Sequence, residues 1–283
     1  YSAGTAARMG VDYETLRRIK PDLVMLSAPA YGEKGPYQGY VTIGSGPDAW
    51  SGHHYLRGYP DLDPTRTVQC LHIDAVAAVT MAFAITAALH YRDRTGKGQF
   101  IDFAMAEVLL NMLSRPIFEW VMNRRVVQPL GNADPTMAPH GCYPCKDPDT
   151  WITIAVRSDA QWHALRQAMG EPAWATAERF ASLLGRLAHR QELDAHLAEW
   201  TRQFTPAELF QKLAAAGVPV GIVYNNDGPP ADPHLAARNF YRWVTHPVVG
   251  QYRRPGPLWN MVKTPVQFRR HTNLLGEHNR EVL

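Results

Sequence analysis

Asp74 opens the longest uncharged run in this chain. The stretch "LHIDAVAAVTMAFAITAALHYRDRTGKGQ", residues 71–99, sets that one carboxylate ahead of fifteen residues, Ala75 to Leu89, that carry no charge. A basic, glycine-punctuated phrase follows. A carboxylate is ionised at neutral pH and needs no partner base to act as a nucleophile. Presented with an activated acyl group such as a thioester, it would form a mixed anhydride. Read for structure alone, the same aspartate is a helix N-cap, accepting a backbone N–H at the positive end of the helix dipole. The two roles are compatible, because helix-end donors keep a carboxylate ionised and aimed. Ala75, Ala77 and Ala78 would let a bulky ligand approach the helix start, and would equally let another helix pack closely.

Other chemistry-bearing groups are weaker signals. "CYPC", Cys142 to Cys145, has C-x-x-C spacing, but no second pair completes a zinc site and no thioredoxin-like pattern surrounds it, so no metal role is expected. "RTGKGQ" offers Arg94 and Lys97 among glycines without the spacing of a phosphate loop, and reads as a helix-to-strand turn.

Elements must position these groups. "VDYETLRRI" (11–19) predicts a helix capped by Asp12, "PDLVMLSAPAYG" a strand, and "PDAWSG" a short helix ending at Gly52, with loops at "GEKGPYQGY" and "GYPDLDPTRT". After the Asp74 helix, "FIDFAM" predicts a strand and residues 106–125 a long helix interrupted or kinked near Pro116. Residues 129–149 turn rich in Pro, Gly, Asn and Asp, the composition of a linker at a domain boundary. Beyond it, "TWITIAV" predicts a strand, and "DAQWHALRQAM" and "RQELDAHLAEWTRQ" amphipathic helices whose Trp162, Trp174 and Trp200 pack a core. Thr205 and Glu208 form a capping-box pattern ahead of a helix, a glycine stop and a strand. "NDGPPADPHL" reads as a loop, and residues 243–259 lean to β structure. Strands alternating with helices indicate an α/β architecture with a discontinuous large domain around a smaller one.

Composition bounds the function. A chain of 283 residues, 46% hydrophobic and 19% charged, is that of a soluble globular protein. A formal charge of +3 suits a small polyanionic ligand and falls short of the basic stripe that nucleic acid requires. The apolar run is short for a bilayer span, so neither nucleic acid nor membrane is an expected partner. Three cysteines make no disulfide framework, which points to a reducing cytoplasm. Neither "YSAGTAARMG" nor "LLGEHNREVL" reads as a natural terminus, and both ends are expected to be cut.

The phrases now join. Asp74, the fifteen-residue step to the end of "AAL", then "RDRTGKGQ" and a strand resemble family III CoA-transferases, the group that contains formyl-CoA transferase and the carnitine enzymes. "RMGVDYETLRRIKPDLV", "AYGEKGPY", "APHGCYPCKD", "AAGVPVGIV", "ADPHLAARNF", "HPVVG" and "LLGEHNREVL" agree in order, so the resemblance covers nearly the whole chain. It implies that Asp74 is the catalytic aspartate, moving CoA between two carboxylic acids through an aspartyl anhydride and an aspartyl-CoA thioester. It also implies coenzyme A contacts at Arg8, on the phosphates, and at Tyr1, with Tyr31 lining the acyl pocket. The fold it implies is a Rossmann-like large domain from residues 1–128 and 229–283, a small α/β domain over 139–228, and an interlocked homodimer.

Three departures bear on this resemblance. Pro29 stands where some members contact CoA with a lysine, "SAG" at Ser2 to Gly4 replaces the usual "RPG", and "ADPTMAPHG" (133–141) replaces a glycine-rich loop. The racemase branch pairs its aspartate with a histidine that would fall near Ile43, and His53 and His54 are out of register. His72 stands as a substrate-side candidate in that role, beside the plainer reading of a polar loop histidine. The alternatives to a transferase are an acyl-CoA racemase, isomerase or lyase, and a non-catalytic CoA-binding partner subunit.

Overall fold

The computed structural model describes residues 2–282; Tyr1 lies outside the described residues. The chain folds as two compact units, Tyr1–Asp134 and Pro135–Leu283, and mixes α and β structure in both.

In the first unit a short helix α1 (Thr5–Arg8) precedes α2 (Tyr13–Ile19). Asp12 caps α2 as expected, accepting from the Thr15 amide and hydroxyl at 3.1 and 2.8 Å. Strand β1 (Val24–Ser27) pairs in parallel with β2 (Gln99–Asp102), in a register from Val24 opposite Gln99 to Ser27 opposite Asp102. Parallel neighbours need a long crossover. Here it holds α3 (Ser45–Trp50), α4 (His53–Leu56) and the 24-residue α5 (His72–Thr95). Gly96 closes α5 in the left-handed region (φ 71°), its amide donating to the Arg92 carbonyl at 2.7 Å, so "RTGKGQ" is the turn its composition predicts.

Helix α5 buries Ile73, Ala77 and Ala88 and packs against β1, α3 and α6 (Met105–Met112), while Val79 and Phe83 remain three-quarters exposed. It outruns the fifteen-residue apolar run at both ends. An 18-residue window reaches a mean hydropathy of 1.7, long and apolar enough to cross a bilayer by length and composition, with 17% of it buried. That overturns the expectation of a segment too short to span. The property is one of length and composition, and core helices of soluble proteins share it.

The helix expected over 106–125 is interrupted, as its proline predicts, into α6 and α7 (Ser114–Asn123), with the break at Leu113. The proline ring of Pro116 would meet the carbonyl four residues back, at Met112, where α6 stops.

The second unit is built on an antiparallel sheet of β3 (His140–Pro144), β4 (Trp151–Ala155) and β5 (Val220–Val223), in that order. Strand β3 lies inside the stretch expected to be linker. Its turn-rich flanks hide a strand because only one of its residues, Tyr143, is fully buried. On β4, Ile152 and Ile154 turn inward between exposed Trp151 and Thr153, the two-residue period of a half-covered strand. Helices α8 (Asp159–Met169), α9 (Leu183–Ala188), α10 (Arg190–Thr201) and α11 (Pro206–Ala215) enclose the core. Trp162 is buried in that core, with Trp174 and Trp200 packed on it. The Thr205–Glu208 capping box forms at the head of α11.

Arg186 of α9 is fully buried. Its guanidinium donates to the carbonyls of Ala138 (2.8 Å), Phe180 (3.1 Å) and Ala181 (3.3 Å) and to Asp159 (2.8 Å), and lies over the Trp162 ring. Two short helices, α12 (Gly228–Ala231) and α13 (Pro233–Ala237), occupy the segment read as loop, each with proline in its first turn. The hairpin β6 (Tyr241–His246) and β7 (Gly250–Pro255) and a final turn α14 (Asn279–Val282) follow.

Candidate active site

Strand β1 runs out through Ala28, Pro29 and Ala30, and β2 through Phe103 to Met105. The two exits are tied together: the Phe103 amide donates to the Ser27 carbonyl, and the Ala106 amide to that of Ala30, each at 2.9 Å. Glu33 braces the same place, accepting from the Ser27 hydroxyl at 2.5 Å and the Gly4 amide at 3.2 Å. Its own amide donates to Asp102 at 2.8 Å. Above these strand ends opens a cavity of about 320 Å³, with Asp74 on its wall. Ligands of parallel α/β sheets bind outside the carboxyl ends of the strands.

Asp74 is the third residue of α5 rather than its cap. Leu71 holds the cap position, at φ −82° and ψ 46°, and no side chain caps the helix. The α5 helix begins one turn earlier than the apolar run suggests, because His72 and Ile73 already have helical geometry. The first-turn position keeps the carboxylate at the positive end of the helix. Among the described residues nothing donates a hydrogen bond to it or pairs with it, and it is exposed towards the cavity.

Gly44, at the head of α3, fixes how that carboxylate lies. A Cβ at residue 44 would stand 2.6 Å from Asp74 Oδ2 and 3.1 Å from Leu71 Cδ2. The backbone of Gly44 is ordinary (φ −44°), so the demand is for space and not for torsion. Gly44→Ala is expected to swing the carboxylate aside. The turnover number should drop about 100-fold, as a misplacement near 1 Å does, with the melting temperature little changed. Steady-state kinetics beside a thermal melt checks both.

Residues 48–57 carry a group that the sequence reading did not single out. Asp48 is fully buried, yet polar partners surround it: Arg57 Nη2 at 2.9 Å, His53 Nδ1 at 2.5 Å and His54 Nδ1 at 3.8 Å. Arg57 also donates to the Val68 carbonyl at 2.9 Å, which ties the segment entering α5 to α3 and α4. A buried carboxylate is tolerated when paired and hydrogen-bonded in this way. The signal was the spacing "DAWSGHHYLR", an acid with two histidines and an arginine five, six and nine residues on.

The expected site residues divide. Ser2, just ahead of α1 and in the same segment as Arg8, lines the cavity with Asp74. Arg8 itself is exposed and donates to the Thr5 hydroxyl at 2.8 Å. Tyr31 is half-buried behind Tyr40, a cavity residue, at 6.5 Å between ring centroids. His72 heads α5, with its ring edge-on to that of His53 at 5.1 Å, and is not among the residues lining the cavity. Cys142 lies in β3 and Cys145 just after it. Burial pushes both thiols up, Cys145 to about 11.

Known proteins resemble this chain along its length. The family described as CoA-transferase family III matches residues 1–279. Succinyl-CoA–D-citramalate CoA-transferase of Chloroflexus aurantiacus is 33% identical over 282 residues, covering all of this chain and 70% of that protein. Succinyl-CoA:mesaconate CoA-transferase of Haloarcula marismortui is 30% identical over 288 residues, covering all of this chain and 71% of its own. Among solved structures, a CAIB/BAIF family protein from Brucella suis superposes with a TM-score of 0.85 at 28% identity, over 99% of this chain and 72% of that one.

Proposed function

Because this chain belongs to CoA-transferase family III, we propose that it moves CoA between two carboxylic acids through covalent intermediates on Asp74. One observation carries the reading: a carboxylate with no hydrogen-bond or ion-pair partner among the described residues, held in the first turn of a helix, faces a cavity at the carboxyl ends of parallel strands.

An Asp74 oxygen attacks the thioester carbonyl of the donor, the C–S bond breaks, and CoA leaves as thiolate. The thiolate attacks the Asp74 carbonyl of the resulting anhydride, which frees the donor acid and leaves an aspartyl-CoA thioester. An acceptor carboxylate attacks that thioester, re-forming an anhydride and the thiolate. Attack of the thiolate on the new acyl carbonyl then returns Asp74 as a free carboxylate. No proton changes hands, so the site needs no general base. It needs an ionised nucleophile, exclusion of water and stabilised oxyanions. The start of α5 suits the last of these, since its first amides have no intrahelical acceptor and no side chain caps them. Arg8, close in sequence to the cavity residue Ser2, supplies a guanidinium fork suited to the CoA phosphates.

The substrates named for the two relatives, succinyl-CoA with citramalate or mesaconate, place carboxylic acids on both sides of the exchange, and that class of reaction is the one proposed here. The test is to incubate the protein with a mixture of short and branched acyl-CoAs and map adducts by peptide mass spectrometry. An acyl or CoA adduct on the Asp74 peptide, absent in Asp74→Asn, is the expected result. Binding of every acyl-CoA with no adduct from any would sink the reading.

A further inference from the structure

The wall that meets the acyl group is apolar. Ala28, Pro29, Ala30, Val41, Ile43 and Met105 line the cavity beside Asp74. Its polar side chains, apart from Asp74, are the hydroxyls of Ser2, Tyr40 and Thr42, and among the described residues no lysine, arginine or histidine lines it. Two of these hydroxyls already have partners, Ser2 with the Thr5 hydroxyl at 3.0 Å and Thr42 donating to the Ile43 carbonyl at 3.2 Å. Arg57 and His53, on the neighbouring helix α4 and its exit, are bound to Asp48. An aromatic group backs the wall. Tyr40 stacks on Tyr37 at 5.1 Å, and Tyr31 packs edge-on against Tyr37 at 5.7 Å and Trp50 at 5.6 Å.

We infer that the acyl group carried past Asp74 is a short monocarboxylic one with an uncharged, apolar tail. The inference rests on the Asp74 reading and names the substrate class of that site. An acyl group ending in a second carboxylate would set its charge against a wall of mainly methyl and methylene groups, where among the described residues no cationic side chain meets it. It would also face the nucleophile, a like charge in the same cavity, and the electron-rich faces of the tyrosines. An alkyl or aryl tail meets the opposite conditions, since every buried methylene gains from leaving water. A cavity of about 320 Å³ lies at the lower end of the range for small-ligand pockets, which suits a short chain.

The experiment compares donors on the same chain. Butyryl-CoA, isobutyryl-CoA, phenylacetyl-CoA and succinyl-CoA are each supplied at equal concentration, and the initial rate of acyl or CoA adduct formation at Asp74 is measured by mass spectrometry. The best uncharged donor should label Asp74 at least about tenfold faster than succinyl-CoA, the discrimination expected of a charge that meets no cation and a like-charged nucleophile. A second arm uses Val41→Arg, at a wall position 85% exposed and able to take the longer side chain without disturbing the core. It should raise the succinyl rate relative to butyryl by about tenfold. Succinyl-CoA matching or outrunning all three uncharged donors overturns the inference and leaves the Asp74 reading standing. A Val41→Arg variant with unchanged preference overturns the assignment of this wall as the selecting surface. No adduct from any of the four overturns the Asp74 reading and this inference with it.

Discussion

Asp74→Asn loses transfer by about 10⁴-fold or more, the scale on which enzymes lose a covalent nucleophile, and keeps its fold. Both halves of that expectation come from the geometry. An amide is nearly the same shape as a carboxylate, and Asp74 is exposed with no protein partner to lose among the described residues. The melting temperature therefore stays within about 2 °C, since a surface change of this kind moves stability by no more than about 0.5 kcal/mol. What disappears is the charge that attacks the thioester, and nothing near it can substitute. The carboxylate on the neighbouring helix α3, Asp48, is buried and fully paired. Measured with a saturating donor, the loss should fall on the turnover number. The Michaelis constant for acyl-CoA should change little, because Asp74 acts on the carbonyl and not on the nucleotide portion. A variant that retained a tenth of the activity would show that the reaction proceeds without a covalent aspartyl step.

The second large effect is on stability. Arg186→Met is expected to destabilise the second unit by about 3–5 kcal/mol. The reason is not the salt bridge alone, since Asp159 is well exposed and can be hydrated once its partner is gone. Three backbone carbonyls, at Ala138, Phe180 and Ala181, lose their donor, two of them bonded to a guanidinium that water does not reach. Methionine fills part of the volume and meets the Trp162 ring, but it donates nothing. The expected observation is a downward shift of the denaturant midpoint for the unfolding of residues 135–283, read from the fluorescence of Trp162 and its neighbours Trp174 and Trp200. Arg186→Lys should recover only part of the loss, because one ammonium cannot reach carbonyls on different sides of a planar fork. An unchanged midpoint would mean that the unit satisfies those carbonyls in another way.

Much of this could be read before any coordinates, and the reasons are local. Asp12 and Thr205 cap their helices because a side chain and an amide three residues on suffice, and both are written in sequence. Gly96 and Gly170 end their helices in the left-handed region for the same kind of reason. Asp74 stood out because a single charge heading an uncharged run is conspicuous in one dimension. Failures came where distance in the chain decided. Strand β3 pairs with β4 across a turn, and its own composition resembles a linker. The interruption near Pro116 was legible; it falls at Leu113 because a proline acts on the carbonyl four residues behind it. The length of α5 was underestimated because its ends are polar while its path is set by packing on β1 and α6. Asp48 carries no mark of burial in the sequence. Only the fold brings Arg57 and two imidazoles onto one carboxylate, and only the fold takes that carboxylate out of water.

Gly44 bears on what this scaffold can become. Proton transfer at the α-carbon of an acyl-CoA calls for an imidazole close to the aspartate, and in the racemase branch that histidine falls near Ile43. At the adjoining residue, the main chain already lies against the Asp74 carboxylate, closer than any side chain allows. A histidine introduced at 44 would evict the nucleophile before it could assist it. Exchange of chemistry between the two branches is therefore not a single substitution at that place: the head of α3 would first have to retreat. A designer, or a lineage, seeking the proton-transfer activity would meet a loss of function on the first step and a gain only after a backbone shift. That barrier lies in the missing space of one methyl group.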